Sequence, residues 1–144
     1  AEKKRDKIDY MWRDVQRRAN FYGFDAKVPA PYPLKEFDLA NKVAILGKDQ
    51  GWIKEYTILT YKKWFLEHLE PGSEPNLSST LREIGLDPDK IINLAQADEI
   101  EQKYLKNTEM AKNKGIFGSP SFTVENEVFW GDDRCEDAIK WLLK

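Results

Sequence analysis

From Ile8 to Ala19 the apolar residues fall at Ile8, Met11, Trp12, Val15 and Ala19. That is the three-and-four spacing of one helical face, and Gly23 supplies a stop just beyond it. The next stretch, KVPAPYP, carries Pro29, Pro31 and Pro33. Alternate prolines fix φ and remove backbone donors, so extended chain is predicted there. A second helix is predicted over about 36–46, burying Phe37, Ala40, Val43 and Ala44, with Gly47 and Gly51 as punctuation. A third runs from Trp52 to Leu69. Its apolar residues reach nearly all round the helix, which predicts a central place in a bundle.

PGSEPN at 71–76 breaks the pattern. Ser78 and Ser79 then read as caps for a short helix that carries Leu81 and Ile84 and stops at Gly85. Asp87-Pro88 is a cleaner start signal, an N-cap followed by proline at the first helical position. Asp98 with Glu101 reads as a capping box for a helix bearing Ile100, Tyr104 and Leu105 that ends by Gly115. The character then changes. SFTV at 121–124 and EVFW at 127–130 are β-rich runs around Glu125-Asn126, which predicts a tight hairpin. Cys135, Ala138, Ile139 and Leu142 share one face of a closing helix, for which Asp133 and Glu136 have the spacing of a capping box. No internal repeat interrupts the order.

Composition narrows the classes. A chain of 144 residues with 41% hydrophobic and 12% aromatic content can bury a core. Its net charge of −2 gives no global field toward nucleic acid or anionic lipid, and the clusters at 3–5 and 17–18 read as solvated helix faces. No apolar run approaches the ~18 residues of a membrane span. The chain opens AEKKRDKIDY, without Met and without the apolar segment of a signal peptide. Cys135 is the sole cysteine, so an intramolecular disulfide and a Cys-x-x-Cys pair are both excluded, which fits a reducing compartment.

The chemistry-bearing residues are few. His68, the only histidine, sits in a predicted helix among Trp64, Phe65 and Leu69, without a Ser or Cys partner at a motif spacing. No His/Cys/carboxylate cluster predicts a metal. Cys135 near a helix start could have a lowered thiol pKa, though its apolar-face position favours burial. Trp52, Tyr61, Trp64 and Phe65 could wall an aromatic pocket, but helical spacing makes core packing the simpler reading. Asp132 and Asp133 have two readings: favourable charges at a helix N-terminus, or carboxylates that hold an ammonium group.

GIFGSPSFTVENEVFWGDDR at 115–134 closely resembles the C-terminal signature of the 2-hydroxychromene-2-carboxylate isomerases and the related kappa-class glutathione transferases. These belong to the DsbA-like group within the thioredoxin fold. YMWRDVQRRANFYG at 10–23, YPLKEFDLANKVAIL at 32–46 and the T-x-x-A-x-x-x-G of 108–115 fit that family's helical insertion in the same order. The resemblance implies an α/β, thioredoxin-like fold in which residues 1–114 are a large helical insertion. Residues 115–144 are then the C-terminal half of the thioredoxin-like domain.

It also implies a site. Pro120 would be the family's cis-proline, and Ser119 would pair through its backbone with the cysteinyl part of glutathione. Asp132 and Asp133 would hold the γ-glutamyl end, while Arg134 would orient Asp133 or touch the ligand. The residue that meets the glutathione sulfur, usually serine, is expected upstream of Ala1, with a first βαβ portion to which nothing here corresponds, so these residues by themselves are expected to lack the catalytic half-site and to be inactive. Cys135 departs from the family, which usually has an apolar residue there. The implied activity is glutathione-dependent isomerisation of a small aromatic-derived carboxylate, in a cytoplasmic homodimer without nucleic-acid or membrane partners. In it the glutathione thiolate adds, permits bond rotation and leaves. A kappa-type transferase, a DsbA-like thiol oxidoreductase and a non-catalytic helical binding module stand as the alternatives.

Overall fold

A computed structural model describes residues 2–144, with side chains from residue 5 onward. The side chains of Lys3 and Lys4, in the basic cluster at 3–5, thus lie outside the described residues. The chain divides into two compact units, Ala1–Glu101 and Gln102–Lys144.

Every regular element described in the first unit is a helix. The unit contains α1 (Glu2–Phe21), α2 (Phe37–Gln50), α3 (Ile53–Glu67), α4 (Asn76–Glu83), α5 (Pro88–Ala95) and the first turn of α6 (Asp98–Asn113). α2 packs on α3 and α5, α3 on α4, and α4 on α5. Val43, Leu46, Tyr56, Leu77, Leu81 and Ile91 are buried where these helices meet. The predicted stripe of α1 is only half realised: Trp12 meets the Tyr32 ring edge-on at 6.5 Å, whereas Ile8 and Met11 are exposed.

Three sequence expectations need correction here. Gly47 does not end α2, which continues to Gln50 and stops at Gly51 in the left-handed conformation. Gly47 is buried inside the helix because the Trp52 ring occupies its side-chain space: a Cβ there would lie 2.7 Å from the indole. Ser78 and Ser79 do not cap α4 but lie within it, and Pro75 stands at the cap. Their hydroxyls bond Glu74 and the Asn76 carbonyl instead. Finally, α3 is not buried all round. It buries one polar stripe, Tyr56, Thr60 and Lys63, and leaves Ile58 and Tyr61 exposed.

Hydrogen bonding explains how Tyr56 and Lys63 are tolerated in that stripe. Lys63 Nζ lies 2.5 Å from Glu83 Oε2. Tyr56 donates its hydroxyl to Ala40 O at 3.2 Å, and burial pushes its pKa up to about 12, the neighbouring Thr60 hydroxyl pulling slightly back. Asn76, fully buried, donates to Thr60 O at 3.2 Å and Leu69 O at 2.8 Å and accepts from the Thr80 hydroxyl at 3.2 Å. The proline segment is non-helical, as predicted, but bent rather than extended, with cis bonds at Val28-Pro29 and Tyr32-Pro33, and it is pinned to the end of α3: Lys27 N donates to Phe65 O at 2.8 Å and Trp64 Nε1 to Pro31 O at 2.9 Å. His68 is not helical. It sits at the left-handed C-cap of α3 with Nε2 2.9 Å from Lys27 O.

Asp87 caps α5 by accepting from Lys90 N at 3.2 Å, as the Asp-Pro pair predicts. Asp98 is the first helical residue of α6, and Glu101 pairs with Lys42.

The second unit joins the remainder of α6 to an antiparallel hairpin, β1 (Ser121–Val124) and β2 (Glu127–Trp130), and to α7 (Cys135–Leu142). The strand limits are those of the sequence reading, and the two-residue turn is Glu125-Asn126 with Val124 opposite Glu127. α7 packs on both strands, burying Ala138 and setting Trp141 against Phe129 at 6.2 Å. Among the described residues no helix is long and apolar enough to cross a membrane.

Candidate functional site

The hairpin register decides which residues meet. Ser121 opposes Trp130, so the residues before β1 and those after β2 emerge at the same end of the ladder. One further bond extends the pairing, Gly131 N to Pro120 O at 3.0 Å. The structure thereby brings Ser119 and Pro120 beside Asp132 and Asp133, four residues scattered over fifteen positions of sequence.

The approach to β1 is clamped from behind. Ser121 Oγ donates to Gly118 O at 2.7 Å, and Phe117 meets Trp130 edge-on at 4.9 Å. A Cβ at Gly118 would lie 2.5 Å from Trp130 Nε1, so only glycine lets the loop lie on the indole. Ser119, in the bend so formed, is exposed, and among the described residues nothing hydrogen-bonds to its backbone. The Ser119-Pro120 bond is cis, as the resemblance implies, and Val28-Pro29, Tyr32-Pro33 and Glu74-Pro75 are cis as well. Gly118 and Trp130 support the site from outside the Ser-Pro and Asp-Asp pairs. Their signal in the sequence is a glycine and a tryptophan flanking the Ser-Pro and the hairpin.

On the opposite side, Gly131 turns the chain at φ 121°, ψ 152° into a 3-10 turn, Asp132–Arg134. The capping box expected from Asp133 and Glu136 does not form. Arg134 stands at the cap of α7 without a side-chain cap bond. Asp133 is engaged elsewhere: its Oδ2 accepts from Arg134 Nη2 at 2.9 Å, while Asp137 accepts from Nη1 at 2.9 Å. The hydrogen bond to Asp133, then the charges of Asp133 and Asp137, raise the Arg134 pKa further above its ordinary value. The guanidinium thus lies between the Asp133 and Asp137 carboxylates, and orienting Asp133 is one of the two roles that the resemblance implies for it. Asp132 is exposed at the start of the turn.

The arrangement offers exposed backbone at Ser119 and carboxylates beyond Gly131. That pairing suits a peptide-like ligand with an ammonium end. Cys135, two positions beyond Asp133, is a half-buried free thiol opening α7. No group of three or more His, Cys, Asp or Glu able to hold a metal is found among the described residues.

The relatives of this chain agree with the resemblance. The 2-hydroxychromene-2-carboxylate isomerase of Sphingobium xenophagum is 25% identical over 137 residues, covering 95% of this chain and 69% of its own. The Pseudomonas putida protein of the same name is 23% identical over 128 residues, covering 89% and 62%. The chain therefore spans roughly two thirds of the length of these relatives. A solved structure of 2-hydroxychromene-2-carboxylate isomerase shares the fold, with a TM-score of 0.80 and 23% identity, over 96% of this chain and 68% of that one. The DSBA-like thioredoxin domain matches residues 1–140, and the chain belongs to that family.

Proposed function

We propose that this protein is a glutathione-dependent isomerase of the 2-hydroxychromene-2-carboxylate type, acting on a small aromatic-derived carboxylate. The observation that carries the reading is the meeting of Ser119-Pro120 with Asp132-Asp133 at one end of the hairpin, held by Gly131 N to Pro120 O at 3.0 Å. Relatives of that name matching 95% and 89% of the chain supply the reaction class.

The residues present fit glutathione. Its cysteinyl unit needs one donor and one acceptor from extended backbone, and the Ser119 amide and carbonyl are exposed and unengaged. Its γ-glutamyl ammonium needs a carboxylate, and Asp133 is oriented for one by Arg134, with Asp132 adjacent. An ionised hydrogen-bond partner contributes about 1.5–3 kcal/mol. When bound, glutathione supplies a thiol nucleophile that adds reversibly to the substrate and frees a bond to rotate. The part of residues 115–134 is to bind and orient it: Ser119 fixes the peptide, Asp132 and Asp133 the amine, and Gly118 on Trp130 holds the loop that presents Ser119. A cytoplasmic homodimer belongs to the same reading, and the lone free thiol of Cys135 accords with a reducing setting.

The test is turnover of 2-hydroxychromene-2-carboxylate by the whole protein, including the residue expected upstream of Ala1, with and without glutathione. Activity saturable in glutathione, with Asp133→Asn raising the glutathione KM more than it lowers kcat, is expected. Turnover indifferent to glutathione would overturn the assignment.

A further inference from the structure

The first unit contains a cavity of about 290 Å³ bounded by α2, α3 and the chain just before α2. The rings of Phe37, Tyr61 and Trp64 contribute to its walls, with Ala44 and Thr60 among the other lining residues. Two of the four aromatics considered as pocket walls from sequence, Tyr61 and Trp64, do line it; Trp52 and Phe65 do not.

Thr60 is the unusual member. It is 96% buried by its relative exposure of 4%, and its Oγ1 has no hydrogen-bond partner. Tyr56, one turn earlier, sends its hydroxyl proton to Ala40 O; the Thr60 hydroxyl lies near enough to lower the Tyr56 pKa but does not meet hydrogen-bond geometry with it. Buried hydroxyls are normally paired, and an unpaired one carries a desolvation penalty. In its present rotamer this atom is out of reach of solvent. A helical threonine has two accessible χ1 rotamers, related by a turn of about 120° that exchanges hydroxyl and methyl. The hydroxyl can therefore face the cavity once a partner stands there.

We infer that this cavity binds a neutral, one-ring aromatic molecule bearing a hydroxyl, of the phenol class, with that hydroxyl bonded to Thr60 and its ring held by Phe37, Tyr61 and Trp64. Size sets the ring count: an apolar cavity of ~150 Å³ accepts benzene, and drug-sized ligand sites begin near ~300 Å³. Charge sets the class. No Lys, Arg, His, Asp or Glu lines the cavity, so a carboxylate entering it would be buried without a counter-charge. This separates the site from one for the carboxylate substrate proposed above, and the inference does not rest on that reaction.

The experiment titrates the protein with phenol, toluene and benzoate while following the Trp64 indole N–H resonance. Phenol is expected to shift it saturably, binding about fivefold tighter than toluene, the worth of one net hydrogen bond, and about tenfold or more tighter than benzoate. Thr60→Val keeps the side-chain shape and removes the unpaired hydroxyl, so it should fold as well as the parent. It should bind toluene unchanged and lose the preference for phenol. Ala44→Phe, which fills the cavity, should abolish both shifts. No saturable response to phenol, an equal or better response to benzoate, or a phenol preference that survives Thr60→Val would each overturn the inference.

Discussion

Gly131→Ala perturbs the proposed glutathione half-site through a single methyl group. At φ 121°, ψ 152° the backbone occupies a region essentially reserved for glycine, so an alanine held there costs about 1–3 kcal/mol. A Cβ at that position would also lie 2.5 Å from Asp133 Oδ1 and 3.7 Å from Arg134 Cγ. The Asp133 carboxylate is exposed and can swing aside, but doing so takes it out of register with Arg134 Nη2 at 2.9 Å. Two effects follow from one change. Urea denaturation should show the midpoint falling by about 1 M with an unaltered slope, taking a slope of 1–3 kcal/mol per M for a domain of this size. Glutathione affinity should fall by about tenfold, the loss of one charge-assisted hydrogen bond. An unchanged midpoint would refute the backbone argument. A lowered midpoint with undiminished glutathione affinity would refute the role given to Asp133.

Three further outcomes concern the helical unit. Burial raises Tyr56 to about 12 in the folded protein against 10.0 for an unhindered tyrosine, so the folded state holds this proton more tightly than the unfolded one. Stability should be indifferent to Tyr56 below pH ~10 and fall by ~1.4 kcal/mol per pH unit from there toward 12. Tyr56→Phe should remove that slope in denaturation curves taken at pH 9, 10 and 11; a slope that persists would place its origin elsewhere. Asn76→Ala strands the fully buried Thr80 hydroxyl and the part-buried Leu69 carbonyl and should cost about 2–4 kcal/mol. A loss below ~1 kcal/mol by chemical denaturation would mean that the network is dispensable. Gly47→Ala should destabilise by about 1–3 kcal/mol, against the usual gain for alanine in a helix, because the Trp52 ring must move. A raised melting temperature for that variant would contradict the packing described.

Local chemistry was readable where a residue's neighbours in sequence decide its conformation. The hairpin at 121–130 follows from two β-rich runs across a two-residue turn, and α5 from an Asp-Pro start whose cap bond closes within three residues. The errors share a different cause: distant partners changed what a residue does. Gly47 reads as a helix stop until Trp52 is known to fill its side-chain space. Asp133 has the spacing of a cap, but Arg134 claims its carboxylate and a 3-10 turn moves the helix start. α3 reads as apolar on every side because the rings are conspicuous, while its buried face is Tyr56, Thr60 and Lys63, whose partners lie 16 to 20 residues away along the chain in two cases. The site lies between these extremes. The residues themselves were named from the resemblance of 115–134, and the hairpin register explains why they converge. Nothing local signalled that Trp130 would carry the loop presenting Ser119.

Amide chemical shifts followed during a glutathione titration test the half-site most directly, because they report on each residue separately. The account predicts that the amides of Ser119, Gly131, Asp132 and Asp133 shift together along one saturation curve, and that Asp133→Asn weakens that curve as a whole. Shifts that bypass these four residues, or a curve unaltered in Asp133→Asn, would contradict the placement of glutathione on this hairpin.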